Sequence, residues 1–140
     1  MTVDQMLASA RSGLTRLRPQ DMPAAVARGA LLVDIRPQAQ RAAEGSLLGA
    51  LAIERNVLEW RLDPASSARL ALAVDHNVEW VIVCSQGYTS SLAAASLQSL
   101  GLHRATDLIG GYQALRAEGL GEVAIGAPHF RRTAAEIAAL

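Results

Sequence analysis

The stretch Val81-Ile82-Val83-Cys84-Ser85-Gln86-Gly87-Tyr88-Thr89-Ser90-Ser91-Leu92-Ala93-Ala94-Ala95 constrains this chain more than any other. A β-branched apolar run ends in the protein's one cysteine, small and polar residues follow, and an Ala/Leu-rich segment of helical spacing begins. The pattern predicts a buried strand, a tight loop and a helix. With Ser90 or Ser91 as the helix cap, the N–H groups of the loop and of the first helical turn converge on one small volume, and Gly87 lets the loop close around it. Cys84 is expected at the edge of that concavity, where convergent amides favour the nucleophilic thiolate. A lone cysteine after Val-Ile-Val is also a common core residue. The composition of the loop favours the reactive thiol, since a packing cysteine has no need of it.

Elsewhere the chain alternates between the two periodicities. Ala30-Leu31-Leu32-Val33-Asp34-Ile35-Arg36 is apolar until Asp34, as expected of a central parallel strand buried on both sides. Asp34 and Arg36 lie two apart and so share a side of that strand. Both are expected on the same rim as Cys84, because ligands of open α/β sheets bind at the carboxyl ends of the strands. Asp34 reads as part of a structural ion-pair network with Glu44, whereas Arg36 serves either that network or the charge of a nearby thiolate. Leu51-Ala52-Ile53 and Leu102 to Ile109 read as further strands, and Leu14 to Leu17 as a short edge strand. Helices are expected within residues 2–17, stopped by Gly13 and with Val3, Met6, Leu7 and Ala10 as the apolar stripe, and at 24–28, 37–44, 65–73, from the Cys84 loop to Leu100, and at 112–118. Glu54 to Pro64 reads as a polar loop or single helical turn over the rim, which makes Arg55 and Arg61 the other cations near the thiol. Gly110-Gly111 permits positive φ and close backbone approach beside a neighbouring loop. The organisation expected is an N-terminal helix over 1–13, one α/β domain over 14–121 with a parallel sheet, and a C-terminal extension over 122–140.

Composition removes whole classes of function. Thirteen basic residues balance thirteen acidic ones without a run of either sign, so no nucleic-acid or membrane-binding face is expected. Every basic residue is arginine; Schiff-base chemistry and a P-loop lysine are therefore excluded, and any fixed cationic site is built from guanidinium. One cysteine forbids an internal disulfide and fits a free thiol in a reducing compartment. The opening residues Met1 to Gln5 carry no basic cluster followed by an apolar run, and a cytoplasmic location is the expectation. Three scattered histidines and one cysteine lack ligand spacing. His76 and His103 read as turn residues, and no metal or cofactor is expected.

Four motifs in order, Leu32-Val33-Asp34-Ile35-Arg36, Glu44-Gly45-Ser46-Leu47-Leu48-Gly49-Ala50, Val83-Cys84-Ser85-Gln86-Gly87-Tyr88-Thr89-Ser90 with Ala93-Ala94, and Leu108-Ile109-Gly110-Gly111-Tyr112, resemble those of the rhodanese-like domain over roughly residues 14 to 121. The resemblance implies a three-layer α/β fold with about five parallel strands and helices on both faces. It also implies sulfur transfer. Cys84 takes the outer sulfur of thiosulfate, a thiosulfonate or a persulfide, becomes a persulfide, and passes the sulfur to cyanide or a thiol, a sulfur-relay protein being one form of acceptor. The amides of Ser85, Gln86, Gly87, Tyr88, Thr89 and Ser90 would cradle the anionic persulfide, with the hydroxyls of Thr89 and Ser90 as further donors. Arg36 and Arg55 complete the substrate-binding set.

The chain departs from the family at packing positions, with Ser46 and Leu48 where histidine and proline are common and Leu115 where tryptophan is common. A further departure is chemical: the loop from Cys84 to Ser90 has no cation to meet a sulfonate, which disfavours thiosulfate unless Arg36, Arg55 or Arg61 supplies the charge. A cysteine phosphatase or arsenate reductase requires arginine where Ser90 stands, because bidentate guanidinium holds the oxyanion. Two other classes remain open, a non-catalytic protein-binding module and a thiol redox sensor that depends on an outside resolving thiol.

Overall fold

The computed structural model describes residues 1–128. Its centre is a pair of parallel strands, β1 (Leu31–Asp34) and β3 (Trp80–Val83), every residue of which is buried. Outside them lie β2 (Leu51–Ala52) and β4 (Thr106–Asp107), giving a parallel sheet of order β2-β1-β3-β4. The expected edge strand over Leu14–Leu17 contributes one parallel bridge, Leu17 to Leu108, so the sheet has four strands rather than about five. Only Leu17 is anchored there on both sides. Its N–H donates to the Asp107 carbonyl and its own carbonyl accepts from Ile109.

The sheet's pleat sorts side chains into two cores. Leu31, Val33, Ile35, Trp80, Ile82 and Cys84 face one side, where α4 (Leu58–Leu62) and α5 (Thr89–Ser99) supply Leu58, Leu62, Ala93, Ala94 and Leu97. Leu32, Val81 and Val83 face the other, covered by α2 (Met22–Ala27) and α6 (Gly111–Ala117) through Met22, Val26, Tyr112 and Leu115. This is the expected three-layer α/β arrangement. A short 3-10 turn, Val123–Gly126, packs on α2, and Ala124 and Ala127 are buried in the second core. The expected C-terminal extension therefore begins inside the domain's packing. His129, Phe130, Arg131, Arg132 and the alanine-rich end lie outside the described residues.

Helix α1 (Val3–Ser12) is capped by Thr2 in a capping box with Gln5 and ends at Gly13. It lies on α5, yet none of its residues is buried. Of its expected apolar stripe, Leu7 and Ala10 turn inward, joined by Arg11, while Val3 and Met6 are exposed. The helix expected over residues 65–73 is absent. Asp63 accepts the Ala65 N–H and Ser66 accepts the Ala68 N–H, local bonds that offer the backbone turns in place of a helical ladder. α3 (Gln38–Glu44) is present and ends at Gly45, whose φ of 107° no other residue type adopts readily.

Candidate active site

Cys84 follows β3 directly and continues its alternation, so its side chain begins among the apolar residues beneath α5. The residue remains buried, with 5% of its surface exposed. Its Sγ accepts the backbone N–H of Gly87 at 3.1 Å, and it forms part of the floor of a cavity of about 350 Å³. Gly87 has φ of 83°, and a Cβ there would stand 2.6 Å from the Gly110 nitrogen, so the loop reaches this position only with glycine. The neighbouring Gly110-Gly111 pair fulfils its expected role. Both glycines have positive φ, and the helix they open accepts the loop: Tyr112 N–H donates to the Cys84 carbonyl and Gln113 N–H to the Ser85 carbonyl.

The cavity brings Arg36, Cys84, Ser85, Gln86, Tyr88 and Thr89 together, with Gln40, Glu44 and Gln113 on its walls. Gly87 contributes its N–H from behind. Ser90 is elsewhere: α5 starts at Thr89 without a side-chain cap, and the Ser90 and Ser91 hydroxyls donate to Asp107 Oδ2 at 2.8 and 2.7 Å. Neither serine caps the helix, and Ser90 does not offer its hydroxyl to the cavity. Arg55 is paired with Glu59, and Arg61 donates to the Ala68 carbonyl; neither lines the cavity. His76 and His103 are likewise away from it.

Arg36 lines the cavity but is spent. Its guanidinium bonds Asp34 Oδ2 at 2.8 Å, Glu44 Oε1 at 3.2 Å and the Gly45 carbonyl at 2.9 Å, and it stacks 3.9 Å over the Tyr112 ring. Of its two expected roles, the structure shows the network. Glu44 is the carboxylate that reaches the cavity wall, where the Ser85 hydroxyl donates to it at 2.8 Å and Gln113 donates in turn to Ser85 at 2.8 Å. Burial pushes the Glu44 carboxyl up, but hydrogen bonds from Ser85 and Arg36 and the Arg36 charge outweigh it and hold the group below its ordinary value. Asp34 and Glu44 together against Arg36 leave this three-residue network with one negative charge in excess.

Gln113 on the cavity wall, and Asp107, Arg11 and Arg16 behind the loop, carry no local sequence signal of their place here. Their partners are up to 91 residues away, a separation at which periodicity carries no signal.

The model of the rhodanese-like domain matches residues 18–118. The chain belongs to that family. It is 34% identical over 116 residues to the thiosulfate sulfurtransferase GlpE of Pseudomonas entomophila (strain L48), an alignment covering 82% of this chain and 96% of that protein. Among solved structures, a protein of unknown function from Rhodopseudomonas palustris CGA009, described as a possible tyrosine phosphatase, superposes with a TM-score of 0.76 at 29% identity, covering 85% of this chain and 92% of its own. A rhodanese homologue from the extremely thermophilic bacterium Thermus thermophilus superposes at 0.52 with 28% identity, over 71% of this chain and 99% of its own. In this rhodanese-like domain the cysteine loop shares one cavity with Arg36 and Glu44 of the ion-pair network, and the helix opened by the double glycine holds the loop by the Cys84 and Ser85 carbonyls. Among the described residues there is no cluster of His, Cys, Asp and Glu fit to hold a metal ion, and no helix long and apolar enough to cross a membrane.

Proposed function

We propose that this rhodanese-like domain is a sulfurtransferase that carries a sulfane sulfur on Cys84. The observation that carries this reading is the Gly87 N–H aimed at the Cys84 Sγ on the floor of an open cavity, a donor placed where anionic sulfur must reside. The Cys84 thiolate attacks the outer sulfur of the donor. The donor's S–S bond breaks with its electron pair on the leaving group, sulfite from thiosulfate or a thiolate from a persulfide, and Cys84 holds the anionic persulfide. Cyanide or an acceptor thiolate then attacks that outer sulfur and releases the Cys84 thiolate, giving thiocyanate or a new persulfide. No proton transfer is required in either step between ionised partners, which accords with a cavity that no histidine lines. A small-molecule donor reaches the cavity unaided, and a sulfur-relay protein would present its own thiol at the same opening.

The cavity's charge refines the donor. Arg36 is neutralised by Asp34 and Glu44, and Arg55 and Arg61 are engaged away from the cavity, so none of these three arginines is free to meet a thiosulfate dianion there. A persulfide, whose reacting end bears a single negative charge and no sulfonate, is the better donor. Phosphatase chemistry, the description given to the Rhodopseudomonas structure, is disfavoured by Ser90 at the position of the required arginine.

The test is intact-protein mass spectrometry after incubation with thiosulfate or glutathione persulfide, with Cys84→Ser in parallel. A gain of one sulfur atom, released by cyanide and absent from the variant, is the expected result. No loading from either donor on folded protein with a reduced thiol would overturn the reading in favour of a binding module.

A further inference from the structure

The family match begins at residue 18, yet two arginines before it reach the cysteine loop. Arg11, in the last turn of α1, donates Nη2 to the Gly87 carbonyl at 2.8 Å and Nε to the Ser91 hydroxyl at 3.0 Å, and its guanidinium lies 5.7 Å from the centre of the Tyr88 ring. Arg16, in the extended segment after α1, donates Nη2 to the same Gly87 carbonyl at 3.0 Å while its Nε bonds Asp107 Oδ1 at 2.8 Å. One loop carbonyl is thus held by two cations. The N–H of the same residue is the donor on Cys84 Sγ.

The charges differ in how they are balanced. Asp107 is fully buried and answers Arg16, whereas Arg11 has no carboxylate partner among the described residues. On the cavity side, Asp34, Arg36 and Glu44 form a network with one negative charge in excess, while Arg41 and Arg116 donate to the Arg36 and Glu44 carbonyls. Arg11 therefore brings a net positive charge to a loop with no cation of its own. A helix that buries none of its residues gains little from apolar packing, and its closest polar engagement with the domain is this one.

We propose that Arg11 and Arg16 are positioning residues for Cys84: together they anchor by its carbonyl the residue whose N–H meets Sγ, and Arg11 adds the positive charge that favours anionic sulfur. They act through the loop and touch neither the sulfur nor the cavity. Polarising the Gly87 carbonyl also strengthens the N–H of the same peptide, that of Tyr88, as a donor. The segment before residue 18 is by this reading part of the active-site apparatus. The thiolate half of the proposal stands by itself, and the persulfide half rests on the sulfurtransferase reading.

The experiment is alkylation of Cys84 by iodoacetamide, measured from pH 5 to pH 10, in the wild type and in Arg11→Ala, Arg11→Gln and Arg11→Lys, each first shown by urea denaturation to be folded. Arg11 is chosen because Arg16→Ala strands the buried Asp107 and threatens folding. Arg11→Ala and Arg11→Gln are expected to slow alkylation near neutral pH about threefold to tenfold and move the profile to higher pH, with Arg11→Lys staying within about twofold of wild type. Gln keeps a hydrogen-bond donor without the charge, so loss in Gln with rescue in Lys separates charge from shape. Folded Arg11→Ala with the wild-type profile would overturn the proposal. Alkylation needs no sulfur donor; a shifted profile in a protein that no donor loads would keep the positioning role and remove the sulfurtransferase reading alone.

Discussion

The carbonyl oxygen of Cys84 accepts the Tyr112 N–H at 2.8 Å, so the peptide of the proposed nucleophile hangs from the first turn of α6. That contact exists because Gly111 has no side chain. Its φ is 62°, and a Cβ would lie 2.5 Å from the Cys84 carbonyl oxygen and 2.7 Å from the Ser85 carbonyl. Gly111→Ala combines left-handed strain with a backbone collision at both carbonyls, and is expected to cost about 3 kcal/mol or more. Urea denaturation reads the loss. Alkylation of the folded fraction should slow as well, because the loop has to move away from α6.

Asp107 organises the side of the loop that faces away from the cavity. It is fully buried and accepts from Arg16, Ser90 and Ser91. Ser90→Ala removes one bond to a charged acceptor and is expected to lower stability by about 1.5–3 kcal/mol. Sulfur loading of the folded protein should stay within about twofold, since the Ser90 hydroxyl does not face the cavity. A tenfold loss of loading at unchanged stability would place that hydroxyl on the persulfide after all.

The distance over which residues interact separates what the sequence discloses from what it conceals. β1, β3, the Cys84 loop and the Gly110-Gly111 opening are local patterns, and each stands where periodicity and glycine placement put it. Residues 65–73 misled because their apolar spacing is helical while Asp63 and Ser66 close turns on the same backbone. Ser90 is read as a cap from its place in the chain, but Asp107, 17 residues on, claims its hydroxyl. Arg36 and Glu44 are close enough in sequence for their pairing to be anticipated, whereas Arg11 and Gly87 are 76 residues apart and meet only because α1 lies on α5. Arg55 found its partner one helical turn away in Glu59, a pairing as legible as its proposed reach toward the thiol and shorter.

Glu44 gives the fold an acid-sensitive joint. Its carboxyl is held below the ordinary value in the folded protein, so the unfolded chain binds the proton more readily. Stability from this group is therefore fully present above the unfolded value of about 4.3 and is lost as pH falls through the lower folded value. The wild-type urea midpoint should fall between about pH 5 and pH 3, and Glu44→Gln should show a shallower fall across that window. Equal slopes in the two proteins would show that Glu44 does not carry the linkage.

Charge on the cavity wall predicts how donor preference responds to substitution. Gln86 is exposed, lines the cavity beside Cys84, and belongs to a loop without a cation. An arginine there stands where a sulfonate would enter, and because the side chain is exposed it demands no repacking of the core. In Gln86→Arg the added charge offsets the excess of Asp34 and Glu44 over Arg36 in the network that borders the same cavity. KM for thiosulfate is expected to fall about threefold to tenfold at low ionic strength, an advantage that shrinks as salt is raised. A persulfide donor of lower charge should respond by less than about twofold, because it has no sulfonate for the guanidinium to meet. Steady-state kinetics with both donors at two salt concentrations decides the matter. If Gln86→Arg leaves KM for thiosulfate unchanged while the protein still loads from it, the charge of the wall does not set the choice of donor.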